Sequence, residues 1–326
     1  MDAPTFQDVL LAKRQIRPYL QRTLMHSYPA VNELIGTTVF IKHENAQPTG
    51  AFKVRGGVNL VSQMSDGERK RGVIAASTGN HGQSVAYAAR LFNVAARIVV
   101  PADANPGKVA AIHGMNAEVV FHGERFDDAR LYCERLASEY GYRYVHSGDE
   151  PLLIAGVATE ALEMLEDEPQ LDAIFVPVGG GSGAAGVCIA AKAINPRLRV
   201  IGVQAAAAPA AYESWRQKQL VDAPNLTFAE GLATGTAFAL PQQILRETLD
   251  DFMLVSDEAI MQAMVWMIER AHTLAEAAGA APLAALYEHR EAFAGQRVGL
   301  VCSGGNTSLV HLRQALDTTR SDLIRE

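Results

Sequence analysis

A glycine-rich turn follows one of the apolar segments of the chain and could bind an anion. It comes directly after DAIFVPV, a short apolar run typical of a buried strand, and before an alanine-rich stretch typical of a helix. Glycines leave backbone N–H groups uncovered, and a helix N-terminus attracts negative charge. The sequence therefore predicts a phosphate site formed by Gly179, Gly180, Gly181, Ser182 and Gly183.

The same turn also fits a dinucleotide-binding pattern, because Gly181, Gly183 and Gly186 form G-x-G-x-x-G. That pattern requires an acidic residue about 20 positions further on to bind a ribose. The end of the next predicted strand is instead Val203-Gln204, and the motif lies in the middle of the chain. A cofactor with a single phosphate fits better, although a tight packing turn is a third interpretation.

One lysine stands in an unusual setting within a second turn, ENAQPTGAFKVRG at residues 44–56. Most lysines are solvated, but Lys53 lies between Phe52 and Val54, beside Arg55, where a helix is predicted to begin. Apolar neighbours and a nearby cation lower the pKa of an ammonium group from about 10.4 toward the neutral amine. The neutral amine is the form that makes an imine with a carbonyl carbon.

A third polar turn, STGNHGQ at residues 77–83, again follows a predicted strand and opens a predicted helix. Its backbone N–H groups and hydroxyl groups suit a carboxylate. The pattern is typical of a site for an amino-acid substrate.

These turns need strands and helices that bring them to one edge of a sheet. From residue 38 onward, short β-branched runs alternate with helical patterns, which predicts an α/β fold with parallel-rich sheets. Residues 205–240 lack periodicity and are predicted to be irregular. Strands followed by helices are predicted at 38–42 and 54–64, 72–77 and 79–92, 96–101 and 106–114, 117–121 and 126–140, 142–147 and 152–165, and 172–178 and 184–194. A further strand is predicted at 199–204 and a helix at 258–272, and the last strand and helix are predicted at 298–303 and 306–317.

The composition of the chain indicates which kinds of binding partner are expected. The chain has 326 residues and a formal net charge of -7, without a long basic cluster, so nucleic acid is not an expected partner. No apolar run approaches the length that spans a bilayer, and three widely spaced cysteines are typical of reduced thiols in a cytoplasm. The nine histidines show no metal-ligand spacing, so no metal site is predicted.

Taken together, the motifs resemble the fold type II pyridoxal-phosphate (PLP) enzymes, which are similar to the tryptophan synthase β subunit, and most closely the threonine/serine dehydratases. EN-x-Q-x-TG-x-FK-x-RG, S-x-GNH-x-Q, the glycine turn and SGGN at 303–306 occur in the family's order and spacing. The resemblance extends from about Ile16 to Leu316.

The resemblance implies specific roles. Lys53 would be the catalytic residue, holding PLP as a Schiff base and removing the α-proton of the substrate. Cofactor contacts would come from Phe52 on the pyridine ring, Asn80 at the 3′-oxygen, Ser303 at the pyridine nitrogen and the main chain of residues 179–183 at the phosphate. The substrate carboxylate would bind at Ser77, Thr78, Gly79, Asn80 and His81.

The implied reaction converts an L-β-hydroxy amino acid to a 2-oxo acid and ammonia after loss of water. The implied architecture is two α/β domains with twisted sheets flanked by helices and PLP in the cleft between them. Residues 44–147 would form a small domain inserted into a large one made from residues 1–43 and 148–326, without a C-terminal regulatory domain. A cytoplasmic homodimer is expected.

Departures from the family pattern leave alternatives open. Four places differ from the usual motifs: Ala51, Ser182, Gly156-Val157-Ala158-Thr159 and His146-Ser147-Gly148. The substrate could therefore be threonine, serine, 3-hydroxyaspartate or phenylserine. Serine racemase is an alternative because Thr78 occupies the position of the opposite-face acid/base. The racemase metal position, Gln204 to Ala210, has no carboxylate. Glu230 and Glu276 could serve a structural hydrogen bond or proton transfer. A non-catalytic PLP-binding protein is the remaining alternative.

Overall fold

The computed structural model describes residues 1–77, 79–102, 104 and 106–318. The chain divides into two compact units. Unit 1 contains Met1–Gln21 and Lys53–Val157, and unit 2 contains Arg22–Phe52 and the residues from Ala158 onward.

Unit 1 is built on a four-stranded sheet in which every pairing is parallel, with the order β5-β4-β3-β6. Val73 pairs with Ala96 on one side and with Arg143 on the other. The core consists of aliphatic side chains from the strands and from the helices that cover them. The elements are α1 (Phe6–Ile16), α3 (Lys53–Ser62), α4 (Asp66–Arg71), β3 (Val73–Ala76), α5 (Asn80–Leu91), β4 (Ala96–Val100), α6 (Pro106–His113), β5 (Glu118–Phe121), α7 (Phe126–Tyr140), β6 (Arg143–Tyr144) and α8 (Pro151–Val157).

Unit 2 is built on a six-stranded sheet with the order β1-β2-β10-β7-β8-β9, parallel except for the β1–β2 pair. Its main core includes α14, where ten of twelve residues are buried. The elements are β1 (Met25–His26), α2 (Pro29–Ile35), β2 (Thr38–His43), α9 (Thr159–Asp167), β7 (Ala173–Pro177), α10 (Ser182–Ile194), β8 (Arg199–Ala205), α11 (Ala210–Gln217), α12 (Ala239–Thr248), β9 (Asp251–Val255), α13 (Asp257–Ala271), α14 (Ala277–Glu288), β10 (Arg297–Cys302) and α15 (Leu309–Thr318), with short 3₁₀ turns at Glu44–Ala46 and Arg290–Phe293.

The predicted α/β class with parallel-rich sheets is confirmed, but several element boundaries differ. The last helix begins at Leu309 rather than at 306, because residues 304–306 pair with residues 49–51. The predicted helix 152–165 is two helices, α8 and α9. Residues 205–240 contain α11, so the prediction of irregular structure is correct only for the part between α11 and α12.

The two units differ from the predicted domains at their edges. Residues 1–21 group with the smaller sheet because α1 packs on α3 and α8. Residues 44–52 group with the larger sheet because the segment before Lys53 pairs with the residues that follow β10.

Within the described part of the chain, the helices lack the combination of length and apolar character that a bilayer span requires. The same residues contain no group of three or more His, Cys, Asp or Glu side chains suited to a metal ion. The three cysteines are all buried thiols.

Candidate active site

The glycine-rich turn lies between β7 and α10, at the carboxyl end of a central strand of the larger sheet. Gly181 is the N-cap of α10 with φ of 90°, a left-handed conformation that favours glycine, and no side chain caps the helix. A helix N-terminus without a side-chain cap can bind an anion through the N–H groups of its first turn. Neighbouring groups lie close enough that a Cβ atom would overlap the Gly231 carbonyl at Gly179 or the Phe238 ring at Gly180.

Phe52 brings the glycine-rich turn and the SGGN segment together within unit 2. A Cβ atom on Gly183 would lie 2.9 Å from Phe52 Cε2, so the ring packs directly against the start of α10. The Phe52 N–H donates a hydrogen bond of 2.9 Å to the Ser303 carbonyl oxygen. Three of the predicted motifs therefore meet at Phe52, through its ring and its backbone N–H.

The SGGN segment is fixed by backbone pairing with the turn that precedes Lys53. Gly304 forms an antiparallel bridge with Ala51, and the Gly305 N–H donates to the Gly50 carbonyl at 2.9 Å. The Asn306 amide donates to the Thr49 carbonyl at 2.8 Å. Ser303 is buried at the end of β10, and its backbone position is set by this ladder.

Lys53 is the first residue of α3 and is bonded directly to Phe52. Its carbonyl accepts a 2.6 Å hydrogen bond from Ser84 Oγ on α5. Its Nζ atom donates to the Ser147 carbonyl oxygen at 3.2 Å.

The turn after β3 provides polar groups at the N-terminus of α5. The Gly79 N–H donates to Ser77 Oγ at 3.2 Å, and Asn80 begins the helix without a side-chain cap from Gly79. His81 is buried, and its Nε2 atom donates to the Val145 carbonyl at 2.9 Å. Burial, with a further contribution from the charge of Lys53, lowers the pKa of His81 from 6.5 to about 3. His81 is therefore neutral near pH 7.

A family model described as "Pyridoxal-phosphate dependent enzyme" matches residues 16–304. The chain belongs to this family of enzymes. It is 37% identical over 311 residues to an L-threo-3-hydroxyaspartate ammonia-lyase of Saccharomyces cerevisiae, covering 95% of each chain. It is 36% identical over 303 residues to an L-threonine ammonia-lyase of Thermotoga maritima, covering 93% of this chain and 75% of that one. Its structure matches the serine racemase of Dictyostelium discoideum with a TM-score of 0.89 and 34% identity, covering 94% of this chain and 99% of that one.

The fold is therefore that of the fold type II PLP enzymes, and the chain is a PLP-dependent enzyme. The observed donor set fits this cofactor. The start of α10 is a helix N-terminus without a side-chain cap, and the glycines beside it fit where neighbouring groups leave no room for a Cβ atom. Phe52, whose ring packs on that turn, is followed in the sequence by Lys53, whose amine can form an imine with an aldehyde.

The predicted site residues fall into two groups. Unit 2 brings together Phe52, the glycine-rich turn and Ser303, while unit 1 groups Lys53 with the β3–α5 turn. Thr78 lies outside the described residues. The carboxylate of Glu276 packs against Gly304, where a Cβ atom would overlap its Oε1 atom, whereas Glu230 is exposed.

The turn after β6 also contributes to the site, although its sequence motif had indicated no role. β6 lies next to β3 in a parallel sheet, so the turns that follow both strands lie at the same edge. The Val145 and Ser147 carbonyls in this turn accept hydrogen bonds from His81 and Lys53. The available signal was that these residues end a predicted strand, at 142–147.

Proposed function

We propose that the chain is an ammonia-lyase that removes water from an L-β-hydroxy amino acid; the resulting enamine then takes up water and releases ammonia, giving a 2-oxo acid. The observation that carries this proposal concerns Phe52, the residue before Lys53. Its ring packs on the glycine-rich turn, and its N–H group bonds to the Ser303 carbonyl oxygen. The proposal is also supported by relatives of more than 35% identity that are named as ammonia-lyases of L-threonine and L-threo-3-hydroxyaspartate.

When bound, PLP supplies an electron sink that stabilises negative charge at Cα of the substrate. The protein groups then bind and orient the reactants. In the proposal, the β3–α5 turn holds the substrate carboxylate through Ser77, Gly79, Asn80 and His81, with Thr78 completing the motif. The Lys53 amine takes the proton from Cα, and the β-hydroxyl group takes up one proton and departs as water.

Neutral histidine is suited to this pocket. His81 uses Nε2–H to bind the Val145 carbonyl, so it adds no positive charge beside the lysine amine. Phe52 and Asn80 would hold the cofactor ring, the main chain of residues 179–183 would hold its phosphate, and Ser303 would face its ring nitrogen. A hydroxyl group, unlike a carboxylate, does not keep that nitrogen protonated, which favours prompt loss of the β-substituent over other fates of the carbanion.

The test is a screen of L-threonine, L-serine, L-threo-3-hydroxyaspartate and L-phenylserine with the purified holoenzyme. At least one should give 2-oxo acid and ammonia in equal amounts, and Lys53→Ala should give neither. Tight PLP binding without product from any of these compounds would instead favour a non-catalytic PLP-binding protein.

Racemisation is the second candidate, favoured by the similarity to a serine racemase structure. The corresponding metal position offers Gln204, Ala208 and Ala210, whose side chains bring no carboxylate to bind Mg²⁺ or Ca²⁺. The Gln204 Oε1 atom accepts a hydrogen bond from the Tyr212 N–H at 3.0 Å. We therefore expect EDTA and added Mg²⁺ to leave the rate nearly unchanged. D-serine that forms from L-serine ahead of pyruvate, and depends on Mg²⁺, would favour the racemase.

The assembly and location of the protein follow the family resemblance in this proposal. A cytoplasmic homodimer is expected. Light scattering at several protein concentrations would measure the mass, and a monomer of 35.0 kDa at all concentrations would contradict the dimer.

A further inference from the structure

The turn after β6 is closed by a histidine side chain. The Nδ1 atom of His146 accepts hydrogen bonds from the backbone N–H groups of Gly148 at 3.1 Å and Asp149 at 2.7 Å. Ser147 lies inside this turn, and its carbonyl oxygen accepts the hydrogen bond from Lys53 Nζ. The imidazole therefore fixes the short backbone segment that contacts the lysine amine.

The two hydrogen bonds define the protonation state in which the turn is closed. Both need a lone pair on Nδ1, so neutral His146 carries its proton on Nε2. Burial is the largest influence and lowers the pKa of His146; the carboxylates of Asp149 and Glu134 oppose it, and the cations Arg130 and Lys53 act with it. The neutral imidazole is the form compatible with the observed bonds.

Rigid elements hold the turn on both sides. Before it, the Val145 N–H donates to the Ile74 carbonyl on β3 at 2.9 Å. After it, α8 begins at Pro151, and the Ile154 N–H bonds to the Glu150 carbonyl at 3.1 Å. The conformation of residues 146–149, between these elements, therefore depends on local contacts. Among these contacts, His146 Nδ1 accepts the hydrogen bonds from the Gly148 and Asp149 N–H groups.

We propose that His146 is a positioning residue for Lys53: by closing the turn it holds the Ser147 carbonyl where that oxygen orients the lysine amine for proton transfer at Cα of the substrate. The inference rests on the proposed function. One N–H of the amine is directed to the carbonyl, which restricts rotation about the Cε–Nζ bond. The proton moves from Cα to Nζ, while His146 and Ser147 neither gain nor lose a proton.

The experiment compares His146→Asn with His146→Ala, and uses His113→Ala, at an exposed position of unit 1, as a matched control. Asparagine accepts hydrogen bonds from N–H groups two or three residues onward, so it can close the same turn, whereas alanine cannot. Loss of orientation should lower kcat of His146→Ala by about 10- to 100-fold. His146→Asn should retain most of kcat, the control should match the wild type, and KM should change little.

A second measurement does not depend on elimination. Exchange of the α-proton of L-alanine in D₂O, followed by NMR with each holoenzyme, reports proton transfer at Cα without a β-hydroxyl group. Exchange should slow in His146→Ala by the same factor as kcat and stay near the wild-type rate in His146→Asn. Should alanine prevent folding, His146→Gln, whose longer side chain does not close the turn, replaces it.

The outcomes separate the two proposals. Wild-type kcat and exchange in His146→Ala would overturn the positioning role. So would an asparagine variant as slow as the alanine variant with an unchanged melting temperature, because the imidazole would then act by another contact. Failure of every β-hydroxy amino acid to give a 2-oxo acid would overturn the proposed function, while α-proton exchange would still decide the role of His146.

Discussion

A glycine outside the sequence motifs, Gly279 on α14, is expected to control the position of Ser303. A Cβ atom at Gly279 would lie 2.6 Å from the Gly304 carbonyl oxygen and 3.4 Å from the Cys302 sulfur. The Gly304 carbonyl also accepts the Glu276 N–H at 3.0 Å, at the start of the same helix. The helix and the SGGN segment are therefore in direct backbone contact, and Gly279→Ala must separate them.

The magnitude follows from the contact. Separation by about 0.7 Å is needed before oxygen and carbon reach van der Waals distance. Overpacking of this kind costs about 1–3 kcal/mol, and alanine in a helix returns about 1 kcal/mol relative to glycine. We therefore expect a net loss of about 0–2 kcal/mol in the free energy of unfolding. A displaced Ser303 should also raise the PLP dissociation constant by about tenfold, the equivalent of 1.4 kcal/mol.

Urea unfolding and a fluorescence titration with PLP measure the two effects. Gly67→Ala in α4 is the matched control, because its Cβ atom would meet only the end of the Arg71 side chain, at 3.5 Å. The control should be neutral or slightly stabilised and should bind PLP as the wild type does. Wild-type stability and PLP affinity in Gly279→Ala would refute the reasoning that the backbone contact fixes Ser303.

Three further predictions concern charge. Ser303→Asp should lose elimination much more than PLP binding, because a carboxylate would hold the ring nitrogen protonated; equal elimination rates in the two proteins would contradict this. The pKa of His81 is lowered to about 3, so the unfolded chain binds its proton first as the pH falls below 6.5. Stability should therefore fall between pH 6.5 and 3 by about 1.4 kcal/mol per pH unit from this group, and His81→Gln should reduce that slope in urea unfolding. Lys42 is fully buried and contacts Glu163 at 2.6 Å, so Lys42→Met should cost about 3–5 kcal/mol, and the double variant with Glu163→Gln should cost less than the sum of the two single changes.

The sequence predicted the parts of the fold where the hydrophobic period is clear. β-branched runs such as residues 96–100 became central strands, and the helix predicted at 258–272 is α13. The helix α14 was missed because AAGAAPLAALYE is buried on nearly every side, so no amphipathic period distinguishes it. The helix also contains Pro282, which is unfavourable in a helix interior. Strand β9 was missed because DFMLV is short, begins with Asp251 and follows Asp250, and adjacent acidic residues are typical of a loop.

The predicted site depended on local motifs, and its supports depend on tertiary structure. The glycine-rich turn and Lys53 could be identified because each follows a strand and carries its own chemical signature. Phe238 and Gly231, which pack against that turn, come from a segment without periodicity. The turn at His146 could not be assigned a role, because its contact with Lys53 depends on the pairing of β6 with β3. Pairing of strands distant in sequence is not encoded in any single motif.

The separation of Lys53 from the Ser147 carbonyl depends on how closely α3 packs on α8. Lys53 begins α3, and α8 begins directly after the turn at His146. The helices meet at glycines: a Cβ atom on Gly156 would lie 2.7 Å from the Gly56 Cα atom. The Asn59 amide donates to the Leu152 carbonyl at 2.8 Å across the same contact. Glycine backbone therefore sets the spacing of the two helices. Val157 and Ala158, which depart from the family pattern, follow Gly156 directly. Changes at these positions can therefore alter the spacing of α3 and α8, and with it the position of Lys53, without contacting the substrate.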